Sequence, residues 1–218
     1  MHQGEIRLAV GRLTDRQTLR VHRFNPITKS EGPGVRACIQ VQGCPIRCNG
    51  CGVPQTWSER GGALIEASAL VDAIILGPPI EGVTFLGGEP FAQADAVATI
   101  AEAVRLKGLS VVTFTGYLRE DLENSASSGF DRLLRATDLL IDGPFDQAQL
   151  DFSRPWIGSR NQRYHFLSER YAHLANEIGN LPNRLEIKIG PNGNVIAGGL
   201  GPLDASKELL AAVAKSFR

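Results

Sequence analysis

Apolar positions recur with two different periods along this chain, and the change from one to the other divides it. Residues 5–10 (EIRLAV), 18–24 (TLRVHRF) and 35–41 (VRACIQV) are short runs of alternating or β-branched apolar residues, the pattern of strands. They precede any helical pattern. From residue 66 the period lengthens: EASALVDAIIL (66–76) predicts a helix, GVTFLGG (82–88) a buried strand, DAVATIAEAVRLKG (95–108) a helix closed by Gly108, and LSVVTFTGY (109–117) another buried strand. DRLLRA and TDLLIDG (131–143) repeat the helix and strand order. Strands alternating with helices predict βαβ units on a parallel sheet, with ligands bound beyond the carboxyl ends of the strands. GGEP, TGY and DGPF all fall at such ends. RLEIKIG and NVIAGG (184–199) flank Pro191-Asn192-Gly193 and predict a hairpin, and ASKELLAAVAKSF (205–217) reads as an amphipathic closing helix. A polar, Ser-rich stretch interrupts the pattern at 124–129; there is no internal repeat and no low-complexity linker.

A chain of 218 residues, 43% hydrophobic, has ample apolar material for one large domain spanning 1–218. Twenty-three basic residues balance 23 acidic ones, so the overall charge gives no reason to expect nucleic acid or an anionic membrane as partner. MHQGEIRLAVGR lacks the apolar run of a secretory signal, and no stretch reaches the length of a membrane span. A cytoplasmic location is expected. In a reducing compartment, clustered cysteines are read as metal or redox ligands before they are read as disulfides.

Three of the four cysteines, Cys44, Cys48 and Cys51, stand within eight positions, separated by three residues and then by two. The fourth, Cys38, lies in the apolar run VRACIQV and reads as a buried core thiol. Three thiolates on one loop can face one centre, but a structural zinc site wants four protein ligands, and no second Cys-x-x-Cys or His-x-x-x-His follows. His22, His165 and His173 are isolated and read as surface or ordinary core. Iron-sulfur clusters normally take four cysteines, so a cubane held by three leaves one iron for a ligand that the protein does not supply.

The segment SEGPGVRACIQVQGCPIRCNGCGVPQTW (30–57), followed by FLGGEP (85–90), resembles the radical S-adenosylmethionine superfamily. It is most similar to the small activating enzymes that install a glycyl radical on anaerobic ribonucleotide reductase or related partners. The likeness runs from about Ser30 to Arg163. It implies that Cys44, Cys48 and Cys51 hold a 4Fe-4S cluster whose fourth iron is chelated by the amino and carboxylate groups of S-adenosylmethionine. One electron from the reduced cluster then splits the sulfonium into methionine and a 5'-deoxyadenosyl radical that abstracts hydrogen from a substrate. By the same likeness Gly87, Gly88, Glu89 and Pro90 receive the methionine amino group, Gly50 and Gly52 lie beside the adenine, and Thr113, Thr115 and Gly116 contact the methionine or ribose. Asp142, in the D-G-P-F motif, orients a hydroxyl or a cationic group. Gly52 departs from relatives, which often carry an aromatic residue or His there. Each of these positions also has a plainer reading as strand-end turn or capping chemistry. Arg36 faces either the cluster region, a partner or solvent; Trp156 and Phe152 form either a substrate-facing lip or ordinary packing. GSRNQR (158–163) matches a block of the activases by resemblance alone.

The fold implied is α/β: a partial, open βα barrel of the radical S-adenosylmethionine type, with a small N-terminal β cap and a C-terminal hairpin-helix extension. Its core covers about 30–165 and the extension about 166–218. The smallest activases end soon after the GSRNQR block, so the extension here completes the sheet, covers its edge or docks a partner. The implied partners are a glycyl-radical enzyme and an electron donor such as flavodoxin or ferredoxin. Two alternatives stand beside the activase: a radical enzyme acting on a small molecule or peptide, and a non-catalytic iron-sulfur electron carrier. The second leaves GGEP and DGPF unexplained.

Overall fold

In the computed structural model, residues 17–190 and 195–201 are described. The strand expected at 5–10, the turn at 191–193 and the helix at 205–217 lie outside them. β1 (Thr18–Thr28), β2 (Arg36–Val41), β3 (Ala63–Glu66), β4 (Gly82–Gly87), β5 (Ser110–Phe114), β6 (Leu139–Asp142) and β7 (Arg163–Phe166) form one sheet in the order β3-β1-β2-β4-β5-β6-β7. The neighbours β2, β4, β5 and β6 are parallel, and the pairs at both margins are antiparallel. The result is a mixed α/β fold on a mostly parallel sheet. The small N-terminal β cap expected of the early strands is not set apart here: β1 pairs with β2 from Val21 to Thr28 and is part of the same sheet. Arg23 and Asn25 fall at register shifts in that pairing, which let Val21–Thr28 face the shorter stretch Arg36–Val41.

The connections carry α1 (Ala67–Ile75), α2 (Ala94–Arg105), α3 (Arg119–Glu123) and α4 (Ser128–Ala136). Their apolar stripes, with Leu70, Val71 and Ile74 of α1, Val97 and Ile100 of α2 and Leu133 of α4, cover one face of the sheet against Ala37, Ile39, Val83, Phe85, Val111 and Leu140. Alternate residues of the same strands point the other way. Val112, Leu139 and Ile141 pack there on Trp156, Ile157, Tyr171 and Leu174. Burial on both faces explains why these strands read as continuous apolar runs. Gly108, at φ +80°, ends the turn that follows α2, as the sequence predicts.

The second apolar face is closed by chain on both sides of the end of the activase-like core. β7 completes the sheet beside β6, and a 3₁₀ segment, Glu169–Asn176, lays Tyr171 and Leu174 over it. β8 (Leu185–Ile189) and β9 (Val195–Gly199) pair antiparallel, as the hairpin pattern predicts. This hairpin is tied to β1 and the segment after it: Thr28 Oγ1 donates to Glu186 at 2.6 Å, Gly199 N to Glu31 at 2.7 Å and Lys188 Nζ to Asn25 Oδ1 at 2.9 Å. Trp156 is 7% exposed and belongs to the packing, not to a free lip. No helix among the described residues is long and apolar enough to cross a membrane.

Candidate active site

β2 runs straight into the cysteine loop, which places Cys44, Cys48 and Cys51 beyond the carboxyl end of the sheet. The neck of the loop is held by its own backbone and by one side chain. Gly43 N donates to Thr56 O at 2.7 Å and Cys44 N to Trp57 O at 3.2 Å, while Gln42 Nε2 donates to Gln55 O and Ser58 O at 2.9 and 2.6 Å. Gln42 is 2% exposed, and its amide satisfies two carbonyls of the returning arm, tying it to the arm that enters the loop. Motif reading passes over this residue; its one signal is a glutamine among apolar residues in IQVQGC. Within the loop, Cys51 N donates to Cys48 O, and Arg47 and Gly50 take left-handed conformations that turn the chain back on itself.

GGEP clamps this neck. Gly88 N donates to Val41 O and Glu89 N to Gly43 O, both at 2.8 Å. A Cβ on Gly88 would stand 2.3 Å from Gly43 O, so the close approach of two backbones requires glycine there. Gly88→Ala is therefore expected to push the turn off the loop neck and cost about 2–4 kcal/mol. Urea unfolding measures the cost, and iron uptake after anaerobic reconstitution should fall with it. Wild-type values in both would show that the clamp yields freely.

The Glu89 carboxylate is not left open. It is 1% exposed and accepts from Phe91 N, Thr115 Oγ1 and Gly116 N, each at 2.9 Å. Thr115 and Gly116 thus meet the Glu89 carboxylate, a contact the sequence reading does not anticipate, and Pro90 begins the buried turn that follows. Burial pushes the carboxyl up to about 7, although its three donors pull the other way. Because the folded value lies above the ordinary 4.5, the stability it contributes is complete below pH 4.5 and lost as pH rises through 7. Wild-type unfolding free energy should fall across that window by up to about 3 kcal/mol more than that of Glu89→Gln. Denaturation at pH 5 and pH 8 checks it; equal slopes would show that Glu89 titrates normally.

The other expected contacts divide. Thr113 Oγ1 bonds Thr137 Oγ1 at 2.8 Å and is fully buried, so the structure keeps it apart from the loop residues. The Asp142 carboxylate is also fully buried. It accepts from Arg119 N at 2.8 Å and from Arg163 Nε and Nη2 at 3.0 and 2.5 Å. His165 Nε2 approaches it at 3.0 Å without hydrogen-bond geometry. Burial would raise its pKa, but Arg163, the Arg119 N–H and His165 together hold it below the usual carboxylate range. Gly50 packs under Gln147, whereas Gly52 faces open space. Arg36 lies at the amino end of β2, opposite the cysteine loop, and is fully buried. A cavity of about 450 Å³, lined by Glu81, Gly108, Arg170 and Tyr171 among others, also opens at that far edge.

Three half-buried thiols on one loop fit a cluster better than a single ion. Burial pushes the Cys48 thiol up, the Phe145 N–H facing it opposes this, and the neighbouring Cys44 and Cys51 add to the rise, so the three share one region of space. Yet among the described residues no three His, Cys, Asp or Glu side chains lie close enough to hold a metal ion. Thiolates bound to three different irons stand further apart than three on one metal.

The family described as the 4Fe-4S single cluster domain matches residues 30–165. The chain belongs to that family. It is 32% identical to the anaerobic ribonucleoside-triphosphate reductase-activating protein of Vibrio cholerae, over 66% of this chain and 96% of that one. The protein of the same name from Enterobacteria phage T4 is 29% identical over 65% and 90%. The pyruvate formate-lyase-activating enzyme of Clostridium pasteurianum is 28% identical over 56% of this chain and 50% of that enzyme. A looser structural likeness, to QueE from Escherichia coli, has a TM-score of 0.41 at 18% identity over 49% and 56% of the two chains. The chain is accordingly a radical S-adenosylmethionine enzyme of the activating type, with a 4Fe-4S cluster and S-adenosylmethionine as cofactors.

Proposed function

We propose that this chain installs a glycyl radical on a partner enzyme, with Cys44, Cys48 and Cys51 as the cluster ligands. One observation carries the reading: an eight-residue loop bearing three half-buried thiols, held at the carboxyl mouth of a parallel sheet by the GGEP turn. Cys44, Cys48 and Cys51 would hold the cluster, which when bound and reduced would supply the electron for cleavage of S-adenosylmethionine to methionine and a 5'-deoxyadenosyl radical. The chain's own residues bind, orient and shield. Gly87, Gly88, Glu89 and Pro90 form the wall on which the methionine amino group rests. The Glu89 carboxyl, nearly enclosed, acts there through the turn it organises, while Thr115 and Gly116 fix its oxygens. Gly50 and Gly52 leave the adenine side free of side chains, and Thr113 and Asp142 are assigned to shaping the strand ends rather than to direct contact.

Residues 1–218 are read as one radical S-adenosylmethionine domain, with a core of about 30–165 and an extension of about 166–218. Its sheet is read as a partial, open βα barrel. Side chains from Trp156 to Leu181 fill the apolar face opposite the helices, which favours a substrate presented at the mouth, as a protein loop would be. The relatives' names point to anaerobic ribonucleoside-triphosphate reductase as that substrate; a cytoplasmic location and flavodoxin or ferredoxin as electron donor belong to the same reading as proposals. Reduced, reconstituted chain mixed with the reductase and S-adenosylmethionine should give an electron paramagnetic resonance doublet on the reductase. Deoxyadenosine formed without any protein radical would transfer the reading to a small-molecule or peptide substrate.

A further inference from the structure

The GSRNQR block, matched to the activases only by likeness, has a definite task in the fold. Every polar side chain of 159–162 except that of Arg160 reaches the loop that follows Asp142. Ser159 Oγ, in a fully buried residue, accepts from Asp146 N at 3.1 Å. Asn161 Nδ2 donates to Pro144 O at 2.7 Å, and Gln162 Nε2 to Gly143 O at 3.3 Å. The other end of the Gln162 amide accepts from Gly158 N at 2.8 Å and from Ser159 N at 3.3 Å, which fixes the block to itself. Arg163 grips Asp142 at the start of the same loop. Four side chains of one short block thus hold a loop that makes few regular hydrogen bonds of its own.

That loop in turn lies against the cysteine loop. A Cβ on Gly50 would meet Gln147 Oε1 at 2.7 Å, and one on Gly116 would meet Ile46 Cδ1 at 2.6 Å with Pro144 Cα 3.7 Å away. The Phe145 N–H faces Cys48. We propose that Ser159, Asn161 and Gln162 are positioning residues that set the 143–147 loop as one wall of the cofactor site, against Cys48 and Gly50. This rests on the cysteine loop being the cluster site. A wall fixed from behind governs how closely S-adenosylmethionine is seated without touching the cluster ligands themselves.

The test uses the full chain, reconstituted anaerobically, as wild type, Asn161→Ala and Gln162→Glu. The second variant keeps the acceptor for Gly158 and Ser159 and turns the donor to Gly143 O into a carboxylate oxygen that repels it, so the change falls on the contact with the loop. Both variants should bind iron and sulfide as wild type does, raise KM for S-adenosylmethionine about five- to tenfold with kcat changed less, and alter the reduced cluster's paramagnetic spectrum with S-adenosylmethionine present. Loss of cluster from a folded variant would show that the block supports the cysteine loop itself and would overturn the inference. Wild-type KM and spectra in both variants, even with a lowered unfolding temperature, would reduce the block to a structural support and overturn the inference alone. Failure of the wild type to take up a cluster would overturn the site reading and this inference with it.

Discussion

Cys48→Ala should reduce 5'-deoxyadenosine production to that of a protein-free blank, with iron uptake falling in parallel. Three thiolates are the fewest that leave a cubane cluster with a single open iron, and two leave it unanchored on one side. Among the described residues, neither Cys38 nor a histidine is placed to replace the missing sulfur. Cys38 is 2% exposed inside β2, where burial drives its thiol well above the ordinary range and so suppresses the thiolate that binds iron. Among the histidines, His22 Nδ1 lies 3.1 Å from Gln42 Oε1 and His165 faces Asp142 at the other margin of the sheet. Cys38→Ala is the matched control: it should cost about 1 kcal/mol of stability and leave product formation per folded chain unchanged. Chromatography of anaerobic, dithionite-reduced reactions measures both. Undiminished product from Cys48→Ala would remove this cysteine from the ligand set.

The contrast between the two kinds of cysteine is legible in the residue pattern alone. Cys38 sits in an apolar alternation, whereas Cys44, Cys48 and Cys51 interrupt one with Pro, Asn and Gly. The parallel strands are legible for the same reason: VTFLG and SVVTF bury both faces, so their apolar runs are unbroken. What escapes the pattern is what tertiary contact decides. Ala63–Glu66, largely exposed, has no face to bury and becomes a strand only because β1 offers it an open margin. Arg163–Phe166 alternates charged and aromatic residues over only four positions, too short to tell from a loop, and pairs because Asp142 waits opposite Arg163. Glu89 reads as an open carboxylate in GGEP. Only the fold reveals that Thr115 and Gly116, 26 and 27 residues later, close around it.

Arg36 is the position where local reading has least to offer, and it carries the second large effect. Its guanidinium is fully buried with no carboxylate among its hydrogen-bond partners. Nε donates to Thr84 Oγ1 at 2.7 Å, Nη1 to Ser110 Oγ at 3.0 Å and Tyr171 Oη at 2.8 Å, and Nη2 to Val83 O at 2.7 Å. Burial lowers its pKa, and the nearby Tyr171, Asp138 and Glu81 work against that. One planar fork therefore ties together the amino ends of β2, β4 and β5 and the 3₁₀ segment that covers the second apolar face. Arg36→Met fills the volume but strands several buried acceptors, and the expected loss is about 3–5 kcal/mol, or an unfolding temperature lower by about 10 °C. Arg36→Lys should recover only part of it, because a single ammonium cannot reach both sides of the fork. Tyr171→Phe, which removes one hydroxyl shared with Ser110, should cost about 1–2 kcal/mol. All three lie at the far edge from the cysteine loop, so deoxyadenosine formed per folded chain should stay at the wild-type value. A stable Arg36→Met protein would mean that water satisfies those acceptors once the guanidinium is gone. A folded variant with impaired cleavage would instead show that the amino end of the sheet is coupled to its mouth.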